Sequence, residues 1–216
     1  KTSTTALLSH IFHFNNVNVS YLYGGITTFN GIGGHYGDPD QPLILETDEA
    51  FNTFEKIKIS DLLVLNVDSD HLDYFKNLDN YKDAFYKVMK NVTDNLVINN
   101  DDLNIKSMKD LKNPVSYGKD TSADFKVQSP GTFKYENNKY EIKSDIIGDH
   151  FKSNMLGAII LALLNGIEIK DSLNAIESFA GVKRRIELIG ISKGVLIYDD
   201  YGHHPTEMEA TITALK

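Results

Sequence analysis

Three short segments, PLILE (Pro42 to Glu46), DLLVLNV (Asp61 to Val67) and NLVIN (Asn95 to Asn99), are almost continuously apolar. A strand with one wet face alternates apolar and polar residues, so runs this short and unbroken describe strands covered on both faces, as in a parallel sheet. Parallel neighbours need a crossover connection. The stretch NLDNYKDAFYKVMKNV between the second and third runs supplies one, because Tyr81, Phe85 and Val88 recur at helical spacing. This β-α-β grammar predicts an α/β fold: three layers, a mostly parallel sheet with helices on both faces.

The remaining segments extend that frame. Thr4 to Phe14 is helical in pattern, and NVSYLY (Asn18 to Tyr23) is strand-like and runs into Gly24-Gly25. From Ser122 to Asp145 the text turns polar, and FKYENNKYEIK sets Asn137-Asn138 between two alternating runs, which predicts a hairpin in a small antiparallel β annex. Helices are expected over Lys152 to Leu164, stopped by Asn165-Gly166, and over Ile169 to Phe179, with Asp171 or Ser172 as the cap. A last strand, GVLIYDD (Gly194 to Asp200), leads to a helix with Pro205 in its first turn.

With 216 residues and 41% hydrophobic content the chain buries a full core. Its longest apolar run, MLGAIILALL (Met155 to Leu164), is half of the roughly 20 residues that span a bilayer, so no membrane segment is expected. Net charge is −8 and no Lys/Arg block accumulates, which disfavours nucleic acid as the main ligand. The absence of cysteine excludes disulfides and thiolate metal sites, and fits a reducing compartment.

Chemistry concentrates in three places. Lys1-Thr2, followed by Ser3 and a helix, fits the final pair of a nucleotide-binding P-loop, in which Lys reaches the outer phosphates and the hydroxyl ligates Mg²⁺. The glycines of that motif are not in the sequence, and taken alone the segment fits a Ser/Thr-capped helix start better. Both ends have the look of cut edges, the first following a lost phosphate loop and the last falling at the final helix. ETDEA (Glu46 to Ala50) and NVDSDHLDYF (Asn66 to Phe75) each follow a buried strand, where open α/β sheets bind ligands. They bring Glu46, Asp48, Glu49, Asp68, Asp70, His71 and Asp73 toward one edge. So much like charge needs cations; a carboxylate, an imidazole, a hydroxyl and phosphate oxygens suit Mg²⁺ or Mn²⁺. An acidic loop with a helix-capping Asp accounts for DSDHLD equally well. Lys183, Arg184 and Arg185 form a basic cluster in an acidic chain, which favours phosphate contact over a solvated turn.

The set KTSTT, ETDEA, NVDSDHLDYF, GDHFKSNMLGAIILAL, FAGVKRRIELIG and DDYGHHPTE, in this order, resembles the Mur ligases of peptidoglycan synthesis. The resemblance spans nearly the whole chain and implies a P-loop-type central ATP-binding domain over 1–193, then a hinge and the start of a C-terminal Rossmann-like domain over 194–216. The forms of the Asp/His, KRR and DDYGHHP segments point to the branch that joins L-alanine to UDP-N-acetylmuramate in the bacterial cytoplasm, with the UDP-sugar and amino-acid domains outside this chain. What the resemblance implies for residues is specific. Lys1, Thr2 and Ser3 would meet the phosphates of ATP, and Thr2, Glu46 and His71 the Mg²⁺ (or Mn²⁺). Asn154 would read adenine from the segment that His150 opens. Arg185 would meet the ATP phosphates, and Asp200 and Tyr201 would lie by the nucleotide at the hinge, with His203 and His204 flanking the cleft. Lys1, Glu46, His71 and Arg185 would carry catalysis.

The sequence departs from the family pattern twice. Phe151 stands where an Asn usually follows the histidine of the adenine segment, and Phe85 aligns where several relatives carry a carbamoylated lysine, with Lys82 and Lys87 out of register. Gly24 to Asp38, with six glycines, is expected to be a flexible connector rather than a substrate-facing loop. His10 and His13 are expected on a surface or groove rather than as a metal pair, and His35 in solvent. His203-His204 fit a cap or a hinge, and Met155 to Leu164 fits core. Three alternatives stay open: a ligase that recycles murein tripeptide, a non-catalytic nucleotide-binding module, and a partner-binding α/β domain.

Overall fold

The computed structural model describes residues 1–27, 31–68 and 72–216. Helix α1 (Thr2–Phe14) leads to β1 (Ser20–Leu22), β2 (Gly34–His35) and β3 (Leu43–Leu45), and a 3-10 helix covers Ala50–Lys56. Next come β4 (Asp61–Val64), α2 (Leu72–Phe75), α3 (Leu78–Lys90), β5 (Asn95–Asn99), α4 (Leu103–Ser107) and β6 (Val115–Gly118). The meander β7 (Phe125–Ser129), β8 (Thr132–Tyr135) and β9 (Asn138–Glu141) precedes α5 (Asp149–Leu164) and α6 (Ile169–Ser178). The hairpin β10 (Glu187–Ser192) and β11 (Val195–Asp199) and then α7 (Pro205–Ala214) complete the order.

The main sheet has six strands in the order β4-β5-β6-β7-β8-β9. Its first four are parallel and its last three antiparallel, so the expected annex is continuous with the sheet edge. Strand β5 shows why its sequence lacks alternation. Val97 packs into the core built on α1, α5 and α6, while Leu96 and Ile98 pack into a second core with Val64, Tyr81, Val88 and Ile105. Apolar side chains are needed on both faces, and the three-layer expectation is met.

Other details differ from the sequence reading. The run Pro42 to Glu46 supplies β3, which pairs with β1 in a separate three-stranded sheet and not with β4. The two acidic segments therefore leave different sheets. The β8–β9 turn is Glu136-Asn137, since Tyr135 pairs with Asn138; Glu136 takes the positive φ of 51°. Helix α1 begins at Thr2 and α5 at Asp149, each a few residues earlier than periodicity indicates, because the apolar pattern starts only after the polar first turn. The Gly-rich segment is tied at both ends: Tyr23 N donates to Gly33 O, and Asp38 N to Asn18 O. Its residues 28–30 lie outside the described residues.

Helix α7 starts as its sequence predicts, with Pro205 at the first turn and the His204 ring accepting from Thr206 N at 3.3 Å. Among the described residues, no helix is long and apolar enough to cross a membrane.

Candidate functional site

The ends of β1 and β3 converge on the first turn of α1. Thr2 Oγ1 donates to Glu46 Oε1 at 2.7 Å, and the other carboxylate oxygen accepts from Gly24 N at 2.8 Å. Gly25 must be glycine for packing reasons: a Cβ there would lie 2.7 Å from Thr2 Cγ2 and 2.8 Å from Val182 Cγ1. The first turn of α1 carries no acidic side chain of its own, and the Glu46 carboxylate from the end of β3 approaches its positive end.

Lys1 reaches across to the same acidic segment. Its Nζ lies 2.6 Å from Glu49 Oε2 and 3.3 Å from Asp48 Oδ1. Glu49 is a buried carboxylate that also accepts from the Tyr81 hydroxyl at 3.3 Å. Burial alone pulls the Lys1 ammonium down; the hydrogen bond and charge of Glu49, then those of Asp48, outweigh it and leave the pKa raised. Lys1 is thus a charged donor held beside the Thr2–Glu46 pair.

A cavity of about 620 Å³ opens next to this turn, bounded by Ser3, Thr4 and Leu7 of α1 and by Phe151, Asn154 and Met155 of α5. Ile146, Ile147, Phe179, Val182 and Ile186 make its walls apolar, and Lys183 and Arg185 bring positive charge to it. Asp145, Glu177 and Glu187 also line it, so the rim carries charge of both signs around a partly apolar slot with one amide, which suits a planar ligand with a charged tail.

The segment that bears Arg185 is held by Asp200. Its carboxylate accepts from Ile186 N at 2.8 Å and from Gly202 N at 2.7 Å, closing the turn between β11 and α7 onto the start of β10. The Tyr201 ring lies under both guanidinium groups, 4.9 Å from Arg184 and 5.6 Å from Arg185, and Tyr201 N donates to Arg184 O. Arg184 also pairs with Asp199 at 3.2 Å. Asp68, after β4, accepts from Thr206 Oγ1 at 2.8 Å, which links that loop to α7.

The structure therefore places Lys1, Thr2 and Glu46 in one cluster, and Ser3, Asn154 and Arg185 around the adjoining cavity. Asp200 and Tyr201 support Arg185 from behind. His71 and Asp70 lie outside the described residues. Among the described residues no group of three or more His, Cys, Asp or Glu side chains forms a metal cluster. The Thr2 hydroxyl and Glu46 carboxylate are nonetheless hard oxygen donors at hydrogen-bond distance from each other, a pairing that fits Mg²⁺ or Mn²⁺.

His10 is not on a surface or groove. It is buried, with Nε2 3.0 Å from Ala175 O and 2.9 Å from Ser178 Oγ, and burial lowers its pKa. His13 sits 3.0 Å from Val19 O, and His35 is exposed and bonds Asn18. Burial likewise lowers the pKa of His150, against the pull of Asp200, Asp149 and Glu207. Phe85 packs edge-on or tilted against Phe54 and Tyr81, and Lys87 pairs with Asp83 on the exposed side of α3. Sequence reasoning missed Glu49 as the partner of Lys1, and the walls made by Ile146, Ile147 and Phe179. Only the proximity of Phe179 to the KRR cluster hinted at the last.

Comparison with known proteins identifies the family and fold. The Mur ligase middle domain model matches residues 1–162, and the Mur ligase glutamate ligase domain model matches 184–216. The chain is 35% identical to the UDP-N-acetylmuramate–L-alanine ligase of Hydrogenobaculum sp. and 36% identical to that of Clostridium botulinum, over 100% of its own length and 51% and 50% of theirs. It thus spans about half the length of the curated relatives it matches. Its fold superposes on a UDP-N-acetylmuramate–alanine ligase from Thermotoga maritima with a TM-score of 0.84 at 25% identity, covering 100% of this chain and 51% of that one. A murein peptide ligase from Psychrobacter arcticus shares the fold, with a TM-score of 0.73 at 24% identity over 100% of this chain and 52% of that one. The chain belongs to the Mur ligase family.

Proposed function

We propose that this chain is the ATP-handling part of a bacterial cytoplasmic ligase that joins L-alanine to UDP-N-acetylmuramate in peptidoglycan precursor synthesis, forming ADP. Residues 1–193 would be the central ATP-binding domain and 194–216 the hinge and start of the C-terminal domain, the β10–β11 hairpin straddling the division. The observation that carries the reading is the junction at the first turn of α1, where the Thr2–Glu46 pair adjoins the cavity shared by Ser3, Asn154 and Arg185. The muramate carboxylate attacks the γ-phosphate of ATP to give an acyl phosphate and ADP; the alanine amine then displaces phosphate and forms the amide. Carboxylate and phosphate are both anionic, so the first step is limited by repulsion and catalysis rests on positioned positive charge.

In this scheme Asn154 orients the base, Ser3 and the α1 N-terminus hold phosphate oxygens, and Lys1 and Arg185 neutralise developing charge. Asp200 fixes the backbone next to Arg185, and Tyr201 supports its guanidinium face. Thr2, Glu46 and His71 would hold Mg²⁺ or Mn²⁺, which supplies further charge neutralisation when bound. The test is ATP-dependent phosphate release by the full-length protein with UDP-N-acetylmuramate, comparing L-alanine with murein tripeptide, in wild type and His71→Ala. Release that requires L-alanine and collapses in the variant is expected. Release with tripeptide alone would make this a recycling ligase with the same chemistry. No release with either would leave a nucleotide-binding module.

A further inference from the structure

Lys152 is an anomaly on α5. It lies in the first turn, where a cation opposes the helix dipole, and burial pulls its pKa down although Asp145 and Glu141 act to raise it. Among the described residues its ammonium makes no ion pair. Nζ instead donates to two backbone carbonyls, Ile142 O and Ser144 O, each at 3.2 Å. Its stem passes Gly131, where a Cβ would come within 3.4 Å of Lys152 Cδ, and Gly131 O accepts from Ile142 N at 2.7 Å.

Those carbonyls belong to the connection between β9 and α5. Asp145, Ile146 and Ile147 of that connection line the 620 Å³ cavity, as do Phe151 and Asn154 of α5. The same lysine sits between Phe151 and Asn154 in sequence and bonds the backbone leading to Ile146 and Ile147. One side chain therefore ties the start of α5 to the segment that leads to Asp145, Ile146 and Ile147.

We propose that Lys152 is a positioning residue for the base end of this cavity, fixing the Ile146–Ile147 segment relative to Phe151 and Asn154 so that the slot selects adenine over guanine. The proposal rests on the nucleotide reading above. It is tested on the full-length protein with ATP and GTP as alternative substrates, in wild type, Lys152→Met and Lys152→Arg. Lys152→Met keeps the stem and loses the donors; KM for ATP is expected to rise about 10-fold with kcat within about 2-fold, and the ATP/GTP ratio of kcat/KM is expected to fall. Lys152→Arg, which retains donors, is expected to restore most of both. An unchanged KM and ATP/GTP ratio in Lys152→Met, with only the melting temperature lowered, would show a purely structural tether. Should Lys152→Met not fold, Lys152→Gln, with one donor left, is judged by the same two quantities. Wild-type turnover saturable in ATP separates the two readings, since its absence would remove the nucleotide assignment and this proposal together.

Discussion

Thr2 and Glu46 stand 44 positions apart in the chain, yet the Thr2 hydroxyl donates to the Glu46 carboxylate at 2.7 Å. The contact joins the start of α1 to the end of β3, two elements that meet because β1 and β3 pair in parallel beneath α1. It puts a hydroxyl and a carboxylate at the first turn of α1, whose Ser3 and Thr4 line the cavity, and their separation depends on what packs behind Thr2.

That packing makes Gly25 sensitive. Gly25→Ala would drive a methyl into Thr2 Cγ2 and Val182 Cγ1, both at the end of short branched side chains with little room to swing aside. Overpacking of this kind costs about 1–3 kcal/mol. Phosphate release by the full-length protein is expected to drop about 10-fold or more, because Thr2 must move from Glu46, while thermal denaturation shows a folded protein. Unaltered turnover would remove the Thr2–Glu46 pair from the catalytic machinery.

Phe151 lends its ring to the apolar wall in place of a polar side chain. Phe151→Ala is expected to weaken ATP binding about 10-fold, since losing part of an aromatic contact costs about 1–2 kcal/mol. Calorimetric titration with a non-hydrolysable ATP analogue measures it. Equal affinities would mean that the base does not enter the slot beside Phe151.

Stability should depend on His10 below neutral pH. Burial lowers its folded pKa below 6.5, so above that value both states are neutral and its contribution is complete. As pH falls below 6.5 the unfolded chain takes up a proton that the folded one resists, and stability declines until the folded pKa is reached. His150, also lowered by burial, adds the same sign. Urea unfolding from about pH 7.5 to about pH 5 should show a smaller loss in His10→Gln than in wild type. Identical slopes would place the effect elsewhere.

The apolar runs of β4 and β5, the helical spacing of Tyr81, Phe85 and Val88, and Pro205 at the start of α7 were all legible because each is a local constraint: one strand's two faces, one helix's buried stripe, one ring's fixed φ. The pairing of β3 with β1 was not, since any strand edge offers the same backbone donors and acceptors and the choice of neighbour is made by packing. The same limit hid Glu49. In sequence it is one of several acids after a strand, and only the approach of α1 and α3 turns it into the buried partner of Lys1 and Tyr81.

By itself, then, the sequence determined the α/β class, the order of its longer helices and of β4 and β5, and the family. Tertiary structure decided which residues share a site. Thr2 meets Glu46, Ser3 lines the cavity with Asn154 and Arg185, and Lys152 bonds the carbonyls of Ile142 and Ser144 because separate elements bury their apolar faces against common cores. Hydrophobic burial is non-directional and sums over the whole chain, so the distances it imposes between remote polar groups exist only once the chain has packed.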